Sequence, residues 1–143
     1  MKIVIGADHT ATVLKFRLTE HLRRRGFEVE DMGTFDDTPA DYPEIAVKVC
    51  KEVTSGAADL GVLICGTGIG MSIAANKVKG IRCALCNDLY SGRKAREHND
   101  ANVIAFGARV IGPGVAIDTL DAFLEAEFAP RHQGRLDMIS QME

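Results

Sequence analysis

The 143-residue sequence has no tryptophan, and none of its apolar runs approaches the length of a membrane span. Its first apolar run, Ile3-Val4-Ile5, is too short for a signal peptide and gives way at once to a charged helical pattern. Lysine and arginine nowhere form an extended block and the formal charge is −3, which argues against nucleic acid or an anionic membrane as the main partner. Only four cysteines are present, Cys50, Cys65, Cys83 and Cys86, all inside strand or helix patterns. Without an export signal they read as thiols, and the expected location is the cytoplasm. Cys83 and Cys86 form a C-x-x-C, but strand residues three apart face opposite sides, which disfavours a redox pair or a zinc clasp. The length suits one domain over 1–143, with a core that needs neither disulfide nor metal.

What is present alternates between two periods. Ile3–Ile5 reads as a buried strand, and Leu14, Leu18 and Leu22 mark one face of a helix over 10–25 that Gly26 ends. Phe27–Glu30 is a second strand, followed by a long loop from Gly33 to Pro43. Ile45, Ala46, Val49 and Val53 line a helix closed by Ser55-Gly56, and Leu60–Ile64 is the third strand. Met71–Val78 is apolar nearly all round, which predicts a well-buried helix. Ile81–Cys86 is a fourth, buried strand; a basic helix covers about 90–97, and Asn102–Phe106 is the fifth strand. Pro113 opens a further helix, and the tail from Arg131 sets Leu136, Ile139 and Met142 opposite Arg131, His132 and Arg135. Five strands alternating with helices predict an α/β fold: one Rossmann-like three-layer αβα domain, a parallel sheet ordered 2-1-3-4-5, and a C-terminal helical tail.

The stretch Leu63-Ile64-Cys65-Gly66-Thr67-Gly68-Ile69-Gly70 runs a strand into a glycine-rich turn carrying one thiol and one hydroxyl. Alternating glycines let backbone N–H groups approach an anion, and the next helix adds its positive end. Cys65 has two readings, a small buried hydrophobe or a thiolate favoured by that helix terminus. Its place at the carboxyl end of a parallel strand, where open α/β sheets bind ligands, favours the second. The same edge gathers Asp8 and His9, Asp41 and Tyr42, and Arg109. Each has a structural alternative: Asp8 as a helix cap, His9 as a surface residue, Tyr42 as a loop anchor, Arg131 and Arg135 as a solvated face. Pooled, they point to a small polar substrate with an anionic group, best matched by phosphate.

Two familiar signatures are incomplete. The cysteine phosphatase loop needs an arginine where this chain has Met71, and the dinucleotide fingerprint needs a different spacing from Gly66, Gly68 and Gly70. Asp88 leaves only a weak nucleotide reading. Taken together, Gly-Ala-Asp-His at 6–9, Asp41-Tyr42-Pro43, Cys65 to Gly70, Ala74-Ala75-Asn76-Lys77, His98-Asn99-Asp100-Ala101-Asn102 and Arg131-His132-x-x-Arg135 resemble the type B ribose-5-phosphate isomerases. The wider family includes galactose-6-phosphate isomerase subunits. The resemblance spans the whole chain and implies an aldose–ketose isomerase. In it Cys65 matches the base that moves a proton between C1 and C2. Thr67 and the amides of Gly66, Gly68, Ile69 and Gly70 match the support for the charged oxygens. His98 matches the acid that opens the furanose ring, with Asp8 and Tyr42 nearby, while His9, Asn99, Arg109, Arg131 and Arg135 match the sugar- and phosphate-binding set. A glutamate-based branch would place its base at Ile69, so the chain fits the cysteine branch. One departure, Thr10-Ala11 in place of a small or glycine-containing pair, bears on the choice of sugar.

The chemistry needs a base, donors for an enediolate oxygen and a handle on phosphate, and calls for no metal or other cofactor. Ribose 5-phosphate and ribulose 5-phosphate are the expected pair. Galactose 6-phosphate, allose 6-phosphate or a tetrose phosphate are the alternatives, and a non-catalytic sugar-phosphate-binding module is the reading from another class. His98 and Asn99 precede the fifth strand and so lie near the amino edge of the sheet, while Cys65 lies at the carboxyl edge. A two-fold homodimer with shared sites resolves this, with 130–143 packing on the partner and dimers able to pair into tetramers.

Overall fold

Two apolar surfaces are laid against one parallel sheet, and the helix stripes in the sequence supply both. The computed structural model describes residues 1–143. In chain order it contains β1 (Lys2–Ala7), α1 (Thr12–Arg24), β2 (Glu28–Asp31), α2 (Tyr42–Thr54), β3 (Leu60–Cys65), α3 (Ile69–Ala75), β4 (Cys83–Leu85), α4 (Leu89–Asn99), β5 (Val103–Gly107) and α5 (Pro113–Glu125). A 3-10 turn, Pro130–His132, then leads into α6 (Gln133–Ser140). Leu14, Leu18 and Leu22 of α1 and Ala116, Leu120 and Phe123 of α5 pack on one face with Ile3, Ile5, Ile64 and Phe106. Ile45, Val49 and Met71 of α2 and α3 cover the other face with Val4, Leu63 and Val103. The result is the expected three-layer α/β arrangement, every strand pair parallel.

The order is β2-β1-β3-β5-β4, so the last two strands exchange places relative to the expected 2-1-3-4-5. The reason lies in burial. All five residues of β5 are buried, as an interior strand of a sheet covered on both faces requires. The fourth strand shrinks from the expected Ile81–Cys86 to three half-buried residues at the edge. There the Asn76 side chain replaces a neighbouring strand: its Nδ2 donates to the Cys83 carbonyl at 2.9 Å and its Oδ1 accepts from the Cys83 N–H at 2.8 Å. Asn76 also stands as the C-cap of α3, which therefore stops well short of Val78. That helix is not buried all round as expected. Met71 and Ala75, four apart, face the core, whereas Ile69 and Ile73 are 52% and 58% exposed.

Cys83 packs toward one sheet face and Cys86 toward the other, as strand alternation requires. Burial pushes the thiols of Cys50 and Cys86 up to about 12 and that of Cys83 higher still, so none of the three is a thiolate at neutral pH. No helix is long and apolar enough to cross a membrane.

Candidate active site

Placing β5 beside β3 joins two loops at the carboxyl edge. The Ala108 N–H donates to the Cys65 carbonyl and the Arg109 N–H to that of Gly66, both at 2.9 Å, which sets Arg109 against the glycine turn. On the other side, the Asp8 N–H donates to the Ile64 carbonyl at 3.1 Å, so the ends of β1, β3 and β5 form one rim. The Gly68 N–H donates to Cys65 Sγ at 3.1 Å and the Ile69 N–H to Thr67 Oγ1 at 3.2 Å. The N–H groups of Gly66, Thr67 and Gly70 have no partner within the protein. A sulfur held by one amide beside three free ones has the arrangement that a base next to a set of oxyanion donors needs.

The glycines here are dictated by contact. Gly68 adopts φ +76°, and a Cβ on it would stand 2.8 Å from the Phe106 carbonyl carbon. At Gly70 a Cβ would stand 2.6 Å from the Tyr42 ring, so the start of α2 closes onto the turn through this glycine. Gly70→Ala should therefore swing out Tyr42, whose ring is already partly exposed, and leave the fold in place. We expect kcat/KM to fall roughly tenfold, the equivalent of about 1.4 kcal/mol of lost transition-state stabilisation, with little change in a melting curve.

The remaining residues of this edge are anchored by backbone. His9 Nδ1 accepts the Ala40 N–H at 3.2 Å, which leaves the proton of the neutral ring on Nε2. Asp8 does not cap α1, whose N-cap is Ala11; its Oδ1 accepts from the N–H and hydroxyl of Thr10. Lys15, buried under the loop, donates to Asp31 at 2.6 Å and to the Thr34 carbonyl at 2.7 Å, pinning the chain that leads to Tyr42.

His98, Asn99, Arg131 and Arg135 lie elsewhere. Helix α4 runs back from the carboxyl to the amino edge, and the Asn99 carbonyl accepts from Arg82 just before β4. No hydrogen bond or ion pair joins this group to the Cys65 turn, and at about 3.3 Å per residue the five residues of β5 hold them roughly 16 Å apart. The tail folds onto α4 through the Ala129 N–H, which donates to the Glu97 carbonyl at 2.8 Å. This stacks the His98 and His132 rings with centroids 4.4 Å apart. Both Nε2 atoms are buried without a hydrogen bond, that of His98 lying 3.7 Å from Glu97 Oε1, and Arg135 donates to His132 Nδ1 at 3.2 Å. Arg131 reaches only Glu97, at 4.0 Å, and stays largely exposed. Glu97 is held below the usual carboxylate range, first by its bond to Lys94.

Desolvation, then the charges of His98, Arg131 and Arg135, hold His132 below its ordinary value of 6.5. The unfolded chain binds a proton here more readily than the folded one, so this contribution to stability is complete above pH 6.5 and declines as the pH falls. Denaturation between pH 7 and 5 should show that loss, and His132→Gln should flatten the slope. An equal slope in the variant would assign it to other groups.

The structure thus gathers Asp8, His9, Tyr42, Cys65, Gly66, Thr67, Gly68, Ile69, Gly70 and Arg109 at one edge, and His98, Asn99, Arg131 and Arg135 at the other. His132 and Glu97 lie outside the set of site residues that the sequence pattern suggests. The three-residue spacing from His132 to Arg135 marks a shared helical face, but the stack on His98 depends on how the tail folds.

Comparison with known proteins bears on the fold and the family. The sequence profile of the ribose/galactose isomerases matches residues 3–139. The chain is 47% identical over 143 residues to ribose-5-phosphate isomerase B of Escherichia coli K12, covering 99% of this chain and 96% of that protein. The ribose-5-phosphate isomerase B structure from Clostridium thermocellum superimposes with a TM-score of 0.98 at 49% identity, over 99% of this chain and 97% of that one. That from Mycoplasma genitalium, solved with bound ribulose-5-phosphate, gives 0.94 at 41% identity, over 99% and 95%.

Proposed function

The chain belongs to the ribose/galactose isomerase family, and on that premise we propose that it interconverts ribose 5-phosphate and ribulose 5-phosphate through an enediolate. The observation that carries this reading is the Cys65 turn, with Sγ 3.1 Å from the Gly68 amide beside the free N–H groups of Gly66, Thr67 and Gly70. Cys65 takes the proton from C2 of the open-chain aldose, the charge that develops on O1 falls on those amides and Thr67, the O2 hydroxyl proton passes to O1, and the thiol returns its proton to C1. His98 opens the furanose ring beforehand, in company with Asp8 and Tyr42. His9, Asn99, Arg109, Arg131 and Arg135 hold the sugar and its phosphate.

This assignment requires two copies. His98 and Cys65 lie at opposite edges of one sheet, so the site is completed by a two-fold partner whose His98, Asn99, Arg131 and Arg135 meet the Cys65 turn. The exposed side chains of Ile69, Ile73, Ile139 and Met142 support such a contact, with the 130–143 tail lying on the partner. Action in the cytoplasm fits a phosphorylated sugar and four free thiols.

The test is a panel of aldose phosphates, from tetrose to hexose, in deuterated water. Ribose 5-phosphate should be turned over best, with ketose formation accompanied by deuterium uptake at the transferred position. Binding without exchange would leave only a sugar-phosphate-binding module, and preference for a hexose or tetrose phosphate would move the assignment within the family.

A further inference from the structure

We infer that Thr10 is a positioning residue, fixing the Asp8 carboxylate so that one oxygen is held by the protein and the other is left for a hydroxyl of the sugar. The inference deepens the isomerase reading and rests on it. Asp8 is only 7% exposed and has no cationic partner. Its Oδ1 accepts from the Thr10 N–H at 2.9 Å and from the Thr10 hydroxyl at 2.6 Å, the length of a charge-assisted O–H···O⁻ bond. Its Oδ2 takes no hydrogen bond from the protein, yet is not sealed from the surface. A carboxylate oxygen this sheltered requires donors, and a polyhydroxylated substrate brings them.

The hydroxyl of Thr10 lies at the turn itself. A Cβ on Gly66 would stand 3.5 Å from Thr10 Oγ1 and 3.6 Å from Arg109 Cδ, so Thr10 and Arg109 each border Gly66. Behind it, Thr10 joins Ala11, Leu14, Ala108 and Ile111 around an apolar hollow of about 150 Å³. Nothing in that hollow competes for the hydroxyl proton, which goes to Asp8. With both Oδ1 donors in place the carboxylate plane is set. Without the hydroxyl only the amide remains, and the group can turn about its χ2 axis.

Thr10→Val keeps the shape and removes the hydroxyl, and Thr10→Ser keeps the hydroxyl. Valine should lower kcat/KM on ribose 5-phosphate roughly tenfold, and serine should recover most of it, with both variants melting near the parent. In a Cys65→Ala background the affinity for ribose 5-phosphate, read by calorimetry, should follow the same order without turnover. Because Thr10 acts through Asp8, adding Thr10→Val to Asp8→Asn should cost nothing further. The inference is overturned if valine leaves affinity and kcat/KM within threefold of the parent, if serine is as impaired as valine, or if valine costs the same factor in the Asp8→Asn background. A parent chain that does not isomerise the sugar would overturn the isomerase reading, while the binding series still decides what Thr10 does.

Discussion

Replacing Cys65 with alanine should lower kcat by roughly 10² to 10⁴, the range contributed by a positioned general base, while ribose 5-phosphate binds almost as before. The separation of the two effects follows from the geometry. The cationic side chains assigned to the phosphate come from the loop after β5 and from the tail, so the loss of one sulfur leaves them in place. Cys65 is 5% exposed, and its sulfur is the acceptor for the Gly68 amide. Cys65→Ser therefore makes an instructive companion. It returns an acceptor to that amide without returning the base, since an aliphatic hydroxyl gives up its proton far less readily than a thiol, and it should be nearly as slow as alanine. A Cys65→Ala enzyme with the parental rate would remove Cys65 from the reaction, and with it the chemistry assigned to the turn.

Mixing two inactive variants should restore activity. On the proposed assignment, Cys65→Ala and His98→Asn each disable every site of a homodimer, but by damaging opposite edges of the sheet. If sites are shared across a two-fold axis, a mixed dimer carries one doubly altered site and one intact site. Random exchange of equal amounts makes half the dimers mixed, each with one working site of two, so about a quarter of the parental specific activity should return. Mild denaturation followed by refolding of the mixture supplies the exchange. Activity that never rises above the sum of the separate variants would mean that His98 serves its own chain's Cys65, or none.

Much of this layout is legible in the sequence because local chemistry decides it. Leu14, Leu18 and Leu22 announce α1. Gly26 and Gly56, at φ +87° and +78°, end the first two helices where a left-handed residue is needed. The carboxyl-edge half of the candidate site is legible for a related reason: residues at strand ends of a parallel sheet share an edge whatever the strand order. The order itself is not legible, since both Ile81–Cys86 and Asn102–Phe106 are apolar enough to be interior. Only the competition between them for the place beside β3 settles which goes to the edge. The end of α3 is hidden in the same way, because Asn76 turns from the helix to a strand seven residues away. His132 shows no role until the tail is folded back on α4, and the Lys15–Asp31 pair joins two elements whose contact no periodicity reports.

The amide of Asn76 has a consequence outside catalysis. The outermost ribbon of an open sheet offers bare peptide groups on which another chain can crystallise, and long stretches of such edge seed fibrils. Here that ribbon is three residues long, and at Cys83 both outward peptide groups are already taken by a side chain of the same molecule. The molecule thus carries its own plug on the β4 side, which opposes extension of the sheet from that edge to a second copy.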